Sequence, residues 1–294
     1  MMKVQRLLVV LLSVLSLAGT DAANARQDSE TLLPVPENLS GETPPARTPA
    51  EVSEVLQTPD PAASEKPVRI VLLAGTKDHG PGEHDYPAWQ NAWLRLLQSA
   101  PNVKASTAWE EPSEEDLKSA DAIVWFRHGA WPEGFNTAVD EYFDRGAGMV
   151  FIHYAVDPME NHDSVQKRLG LCWDRENGKF RHGWMDLVFD PRADHPIARG
   201  FKGKSIRLHD ETYWRLKGDP NGIRVLATAE EEGAPQPMFW TRETGNGRVF
   251  VCILGHYNWS FNDPLFRVLL LRGIAWAAGA EPCRFDSLAL QDLE

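Results

Sequence analysis

The sequence predicts an α/β fold in which a mostly parallel central sheet is flanked by helices. Apolar runs without polar alternation lie at 68–75, 122–126, 149–152 and 248–254, and such runs are typical of strands covered on both faces. Segments with helical spacing of apolar residues separate the first three runs. Strands that alternate with helices favour right-handed crossovers and parallel pairing.

The amino-terminal 25 residues predict a secretory signal peptide. Lys3 and Arg6 precede a 13-residue apolar run, and Ala23-Asn24-Ala25 supplies the small-residue pattern of a cleavage site. The run is shorter than the roughly 18 residues of a membrane span, which leaves an uncleaved anchor as the alternative. We therefore expect an exported protein, periplasmic or extracellular, with no membrane association after cleavage.

The rest of the chain divides by composition. Residues 26–66 are rich in Pro and acidic residues and lack apolar periodicity, so we expect a linker or an arm over the domain, with one helical turn at 49–56. The folded domain is expected at 67–282 and a short tail at 283–294.

The chain is acidic, with a net charge of −12 that becomes −13 once residues 1–25, which carry Lys3, Arg6 and Asp21, are removed. An acidic protein without a basic cluster is a poor candidate for binding nucleic acid or anionic membranes. The three cysteines, at 172, 252 and 283, match no disulfide framework or zinc motif.

The first half of the domain is expected to alternate strands and helices. A Gly/Pro-punctuated loop at 79–87 leads into a predicted helix, because Trp89 and Trp93 share one helical face with Leu96. The amino end of that helix directs unpaired N–H groups toward the loop. Further helices are predicted from 113–116 and at 135–143.

The second half is less regular. Its predicted elements are strands at 185–189 and 205–208, a hairpin formed by 237–241 and 248–254, and a last helix that begins at Asp263-Pro264 and ends at Gly279.

Four of the nine histidines follow predicted strands. They are His79, His128, His153 and His256. In open α/β sheets, ligands collect beyond the carboxyl ends of parallel strands, so these side chains are expected to rim one crevice. The others outside the 79–87 loop, His162, His182, His195 and His209, are expected to be structural or on the surface.

Two further segments, the 79–87 loop and Asp210-Glu211, are expected to reach the crevice. Asp210-Glu211 interrupts strand-like sequence with two charges, and burial forbids such charges unless they meet donors or a cation. We expect His153 and His256 to lie within roughly 12 Å of each other. Glu211 is expected to raise the proton affinity of a histidine there. The residues predicted to converge on one pocket are His79, His84, His153, Glu211 and His256.

Several short motifs occur together in the domain. They are Arg248-Val249-Phe250, Leu254-Gly255-His256, Gly273-Ile274-Ala275-Trp276-Ala277, the glycine-led strand that ends in His153, the turn His195-Pro196-Ile197, Asp210-Glu211-x-Tyr213, and the loop at 79–87. This combination resembles the trehalose-utilisation (ThuA-like) family over about 67–280. The resemblance implies a flavodoxin-like fold similar to class I glutamine amidotransferases. It also implies carbohydrate metabolism, such as processing of oxidised (3-keto) disaccharides.

The residues argue against glutaminase chemistry itself. The position of the nucleophilic cysteine after a central strand is occupied by Ile152-His153-Tyr154, without flanking glycines. Cys252 and His256 are four residues apart on one predicted strand, so roughly 13 Å separates them and they cannot pair.

Two chemical hypotheses remain open for the crevice. In the first, His153 or His256 moves a proton on a sugar with Glu211 as its partner, which makes these three the catalytic candidates. In the second, a divalent metal polarises a carbonyl or activates water. The candidate ligands for that metal are His79, His84, His153 and His256, with His128 and Glu211 as further choices. A third interpretation is that the histidines only bond backbone carbonyls at strand ends.

A small carbohydrate is the expected partner, because sugars stack their C–H faces on aromatic rings. The residues assigned to substrate binding are His79, His84, His128, Tyr154, Asp210 and Trp259. The tryptophans expected near the crevice are Trp131, Trp173, Trp184, Trp214 and Trp259. The leading hypothesis is an exported hydrolase, lyase or isomerase acting on a glycoside or oxidised disaccharide, and the alternative is a non-catalytic carbohydrate-binding module. The oligomeric state is left open.

Overall fold

The computed structural model describes residues 31–59, 66–192 and 194–292, so the predicted signal peptide lies outside the described residues. The strands in this part of the chain are β1 (Val68–Ala74), β2 (Val103–Trp109), β3 (Ala122–Trp125), β4 (Gly148–Ile152), β5 (Leu171–Cys172), β6 (Lys179–Phe189), β7 (Ser205–Trp214), β8 (Lys217–Gly218), β9 (Arg224–Glu231), β10 (Ala234–Thr244) and β11 (Gly247–Cys252).

The α-helices in the same residues are α1 (Pro49–Ser53), α2 (Tyr86–Gln98), α3 (Glu114–Ser119), α4 (Asn136–Asp144), α5 (His162–Leu169), α6 (Asn258–Asn262) and α7 (Pro264–Ala277). Short 3-10 helices lie at Glu37–Glu42, Glu133–Phe135, His153–Val156, Pro196–Ala198, Pro220–Gly222 and Pro282–Leu290. None of the helices in the described ranges is long and apolar enough to cross a membrane.

Nine strands form one mixed sheet in the order β2-β1-β3-β4-β11-β10-β9-β6-β7. The first five are parallel, and each later neighbour is antiparallel to the strand before it. The α/β prediction with parallel central strands is therefore confirmed, and β1, β4 and β11 are internal strands as expected. β5 and β8 pair separately.

The antiparallel half of the sheet is larger than the sequence analysis predicts. The predicted strand at 185–189 is the end of the longer β6, and 205–208 is the start of β7, which continues through the charged Asp210-Glu211 pair. The hairpin is confirmed, with Gly247 opposite Thr244. β2 was not predicted because it is an edge strand whose side chains are mostly outside the core and therefore polar.

Helices on both faces bury the parallel strands, as the absence of polar alternation requires. All five residues of β4 are buried, and so is every residue of β1 except Arg69. Almost all of α7 is buried, including Arg272, whose guanidinium lies 2.6 Å from the equally buried carboxylate of Asp286. A buried charge of this kind needs such a partner.

Residues 31–59 lie on the domain rather than apart from it. The Leu33 amide and carbonyl both bond to the Asn262 side chain at 2.8 Å, and Arg47 pairs with Asp263 at 2.7 Å. Thr48 caps α1, where the sequence indicates a helical turn. Val52 and Val55 are buried there, which shows that this acidic, proline-rich segment contributes apolar anchors to the fold.

Candidate metal and sugar site

The carboxyl ends of β1, β3, β4 and β11 meet at one edge of the sheet, where the four strand-end histidines lie. His153 directly follows β4, and His256 lies four residues beyond the last residue of β11. The ring centroids of His153 and His256 are 5.4 Å apart, well inside the predicted limit. Four side chains that could ligate a metal gather there, His84, His153, Glu211 and His256, and their ligand atoms all lie within 4.8 Å of one another.

His84 and His153 make the closest contact in the cluster, with their Nε2 atoms 2.8 Å apart. The Nδ1 atom of His153 lies 2.7 Å from the carbonyl oxygen of Ile253, so this nitrogen carries the proton and donates it. In a neutral His153 the Nε2 atom is then an unprotonated acceptor that faces His84.

The contact with Asp78 determines which ring nitrogen of His84 carries the proton. The Asp78 Oδ1 atom lies 2.9 Å from His84 Nδ1, and the Tyr86 hydroxyl donates to the same carboxylate at 3.1 Å. Burial would raise the pKa of Asp78, but contacts with His79 and His84 outweigh it and hold that pKa well below its usual range. Because the carboxylate is ionised, His84 Nδ1 must donate to it. His84 therefore also presents an unprotonated Nε2 to the cluster.

Glu211 supplies the charged member of the cluster. Its Oε2 atom lies 3.1 Å from His153 Nε2 and 3.0 Å from His256 Nδ1, and the Tyr213 hydroxyl donates to it at 3.1 Å. Both nitrogens of His256 lack an aligned hydrogen-bond partner in spite of these short distances. The Tyr213 hydroxyl also lies 3.1 Å from His153 Nε2, so one donor is shared between this ring and Glu211.

Asp210 fixes the turn that carries His256. Its carboxylate accepts the Gly255 and His256 amides at 2.9 and 3.0 Å and the Ser260 hydroxyl at 2.6 Å. The His256 carbonyl then accepts the His84 amide at 2.9 Å, which ties the 79–87 loop to the β11 turn. Gly255 has φ +126, and an added Cβ would lie 3.0 Å from Ile152, so glycine is required at this point.

Two residues of the cluster have strained backbones. His84 has φ 41 and His153 has φ 55, in the left-handed region that residues other than glycine rarely adopt. Such conformations cost of the order of 1–3 kcal/mol each and persist where the surrounding contacts enforce them. Here they turn both imidazoles inward, which is typical of a site built for function.

The pKa values of the cluster residues favour the forms that can bind a cation. Burial lowers the pKa of His84 to about 2, and burial also lowers the pKa of His256 in spite of the nearby Glu211. The predicted increase in histidine proton affinity is therefore wrong for His256, because desolvation outweighs the carboxylate. Burial would raise the pKa of Glu211, but the His153 and His256 rings hold it well below its usual range. An ionised carboxylate therefore faces the His84 and His256 rings, whose neutral forms burial favours.

His79, His128 and Tyr154 form the rim of the site. The His79 ring lies 3.7 Å from that of His84, and its Nδ1 lies 2.9 Å from Asp78, which raises the pKa of His79. The His128 ring stacks on Tyr154 at 3.7 Å and bonds to Asp157 at 2.9 Å. All three are partly exposed, whereas His84, His153, Glu211 and His256 are buried.

Several assignments from the sequence need correction. Asp210 is fully buried and saturated by protein donors, so it positions the site and cannot contact a substrate. Trp259 is 4% exposed, its indole donates to the His209 carbonyl, and it lines an apolar cavity of about 410 Å³ together with residues of the 31–59 segment. His79 lies on the rim, where it forms a second possible metal-binding group with Asp78 and His84, and Glu211 joins the buried group.

Three further residues lie at the site, although they were not predicted there from the sequence. His182 was expected to be structural or on the surface, yet its Nε2 lies 3.5 Å from Glu211 and its ring 4.7 Å from that of His256. Asp78 was not assigned to the site, and Tyr213 was noted only as part of the Asp210-Glu211-x-Tyr213 motif. The available signals were the position of Asp78 after the first strand and that of Tyr213 two residues beyond Glu211, on the same face of a strand.

The donor set fits a divalent transition metal. Ligands at about 2.1 Å from a metal and at right angles to one another are about 3.0 Å apart. The measured separations of 2.8, 3.0 and 3.1 Å match this spacing. The outer contacts match as well, because metal-binding histidines typically donate their other N–H to a carboxylate or a backbone carbonyl, as His84 and His153 do here.

The fold and the site define a flavodoxin-like α/β protein with a glutamine amidotransferase-like architecture and a histidine-rich centre at the strand ends. The family model for ThuA, described as trehalose utilisation, matches residues 70–277. The chain therefore belongs to the ThuA family, which supports a carbohydrate-related role. The comparison with curated protein sequences found no match.

Solved structures share this fold. A putative ThuA-like protein from Parabacteroides merdae is 23% identical with a TM-score of 0.60, over 72% of this chain and 90% of that one. A second, from Bacteroides uniformis, is 16% identical with a TM-score of 0.59, over 74% and 95%. A β-galactosidase from Bacillus circulans sp. alkalophilus is 12% identical with a TM-score of 0.50, over 73% of this chain but 32% of the enzyme. At these identities the likeness concerns the fold alone.

Proposed function

We propose that this protein is an exported, metal-dependent enzyme that acts on a glycoside or an oxidised disaccharide. One observation carries the proposal: unprotonated Nε2 atoms of His84 and His153 face each other at 2.8 Å beside an ionised carboxylate. Lone pairs at that distance repel unless a proton or a cation lies between them. Burial keeps the His84 pKa at about 2, so His84 does not supply that proton, and we infer a divalent cation at this position.

His84, His153, His256 and Glu211 would hold the metal, which when bound would act as a Lewis acid on a sugar carbonyl or hydroxyl oxygen. Asp78 and the Ile253 carbonyl orient two of these rings. Burial holds the pKa of Tyr213 well above the usual value, so its hydroxyl stays protonated. This hydroxyl donates a hydrogen bond to Glu211.

His79 is the best-placed group for proton transfer. Its side chain is 38% exposed, its ring centroid lies 5.4 Å from that of His256, and Asp78 raises its pKa from the ordinary 6.5. A histidine that titrates near neutral pH can accept a proton from a sugar C–H or O–H and return it to a departing oxygen. This role complements that of the buried histidines, which would hold the metal.

The family and the amino terminus support the proposed substrate class and the proposed export. A trehalose-utilisation family supports a small carbohydrate as the substrate. The basic and apolar amino terminus with Ala23-Asn24-Ala25 supports export. The acidic charge supports the absence of nucleic acid and membrane partners.

The test is turnover of 3-keto and unmodified disaccharides by the purified protein before and after metal removal. We expect activity to disappear with chelation and to return when a divalent metal is added. The His153→Ala variant should show neither activity nor restoration, while the matched variant His162→Ala, outside the cluster, should behave like the wild type. Sugar binding without turnover in every state would favour the non-catalytic binding module instead.

A further inference from the structure

The strand next to Glu211 carries an exposed aromatic strip. On β6, the side chains of Phe180, His182, Trp184 and Asp186 alternate with those of the opposite face and all point to the face that bears Glu211. His182 is directly opposite Glu211 and Trp184 directly opposite His209. Phe180 is 55% exposed and Trp184 is 42% exposed, although both are large and apolar.

We propose that Trp184 is the binding subsite for a second sugar ring, placed beside the metal cluster along β6. This inference rests on the proposed function and deepens it, because it makes the substrate a molecule of at least two pyranose rings. Residues two apart on a strand are about 6.6 Å apart, so a ligand held at the cluster beside His182 reaches Trp184 with its neighbouring ring.

The surroundings of Trp184 suit a sugar. Arg207 lies 5.3 Å from the centroid of its ring, and the Arg207 guanidinium is 3.5 Å from the Asp186 carboxylate. The indole offers an apolar surface for sugar C–H groups, while the exposed Arg207–Asp186 pair offers a hydrogen-bond donor and an acceptor for hydroxyls. The Phe180 ring instead lies 6.1 Å from the ring of His182.

The alternation along β6 distinguishes this surface from a site for a protein partner. An apolar docking face would be continuous, whereas here His182 and Asp186 flank Trp184 on the same face. The strip is also continuous with the cluster through His182, which lies 3.5 Å from Glu211. A substrate is therefore the occupant that these contacts favour.

The test compares one-ring and two-ring probes by calorimetry on the full, metal-loaded mature protein. The probes are methyl α-D-glucoside and trehalose, each unmodified and as its 3-keto form. We expect Trp184→Ala to weaken two-ring binding about tenfold and to leave one-ring binding within about twofold. Trp184→Phe should restore most of the loss because it keeps a ring, and the exposed Val188→Ala on the same strand face should change neither.

Each result decides the proposal. Equal losses for one-ring and two-ring probes, unchanged binding of both, or no binding of any probe would overturn the subsite. So would a dimer in solution that Trp184→Ala dissociates, since a second copy would then be the occupant. Metal content is measured on the same samples: a chain that binds no metal but still discriminates the probes would overturn the proposed function and leave the subsite standing.

Discussion

The Nε2 atoms of His84 and His153 lie 2.8 Å apart while each ring directs its Nδ1 atom to a fixed acceptor, Asp78 for one and the Ile253 carbonyl for the other. This arrangement leaves two lone pairs in contact beside Glu211. In a protein interior, where unpaired polar groups are costly, such a contact supports the proposed cation between them.

Asp78 orients His84 from outside the cluster, so its removal should weaken metal binding without abolishing it. We expect Asp78→Asn to lower metal affinity about 10- to 100-fold, because the amide no longer enforces the Nδ1–H tautomer. Competition with a chelating dye measures the affinity. Asp157→Asn is the matched control, since Asp157 pairs with His128 at 2.9 Å on the rim. Equal losses in both variants would contradict this role.

His79 is expected to move protons without holding the metal. His79→Ala should lower turnover by about 10²- to 10⁴-fold while metal content stays at about one per chain. Because Asp78 raises the pKa of His79, Asp78→Asn should also move one limb of the pH–rate profile toward lower pH. A His79→Ala variant that loses its metal would instead place His79 among the ligands.

The stability of the metal-free protein should fall in mild acid. The unfolded chain binds a proton at His84 below its ordinary pKa of 6.5, whereas the folded chain keeps this buried histidine neutral down to about 2. The unfolded state therefore binds more protons in that window, and stability decreases as the pH falls through it.

For His84 alone the loss between about pH 7.5 and about pH 5.5 amounts to about 1.4 kcal/mol of unfolding free energy. Urea unfolding at both pH values measures it. His84→Gln should show a smaller decrease than the wild type, and His162→Gln the same decrease as the wild type. Parallel curves for the wild type and His84→Gln would argue that His84 is protonated in the folded state.

Gly255 should be sensitive to substitution because the turn it forms carries His256. An alanine there has an unfavourable φ of +126 and would place its Cβ 3.0 Å from Ile152 and 3.1 Å from Phe261. We expect Gly255→Ala to lower the free energy of unfolding by about 1–3 kcal/mol and to weaken metal binding. Gly134→Ala is the control, since nothing lies within 4 Å of its added Cβ. Equal stability of the two variants would refute the requirement for glycine.

The sequence predicts much of the site because strand ends leave a visible pattern. His153 and His256 follow apolar runs, and Glu211 is a charge within a strand, so all three could be found without a structure. His182 could not, because its role depends on which strands are neighbours. The sequence also does not show that β6 and β7 extend the sheet beside the cluster, which places His182 opposite Glu211.

The pKa values show a second limit of prediction from the sequence. The carboxylate of Glu211 suggests a histidine with increased proton affinity, but burial reverses the effect for His256. The depth of burial is a property of the packed fold, so the sign of that shift cannot be obtained from neighbouring residue types alone.

The most direct test of the central claim is anomalous X-ray diffraction at the absorption edge of the metal that elemental analysis finds in the purified protein. We expect one strong peak at about 2.0–2.3 Å from His84 Nε2, His153 Nε2, His256 Nδ1 and a Glu211 oxygen. A peak beside Asp78 and His79 instead, or none at the cluster in crystals of metal-loaded protein, would contradict the account.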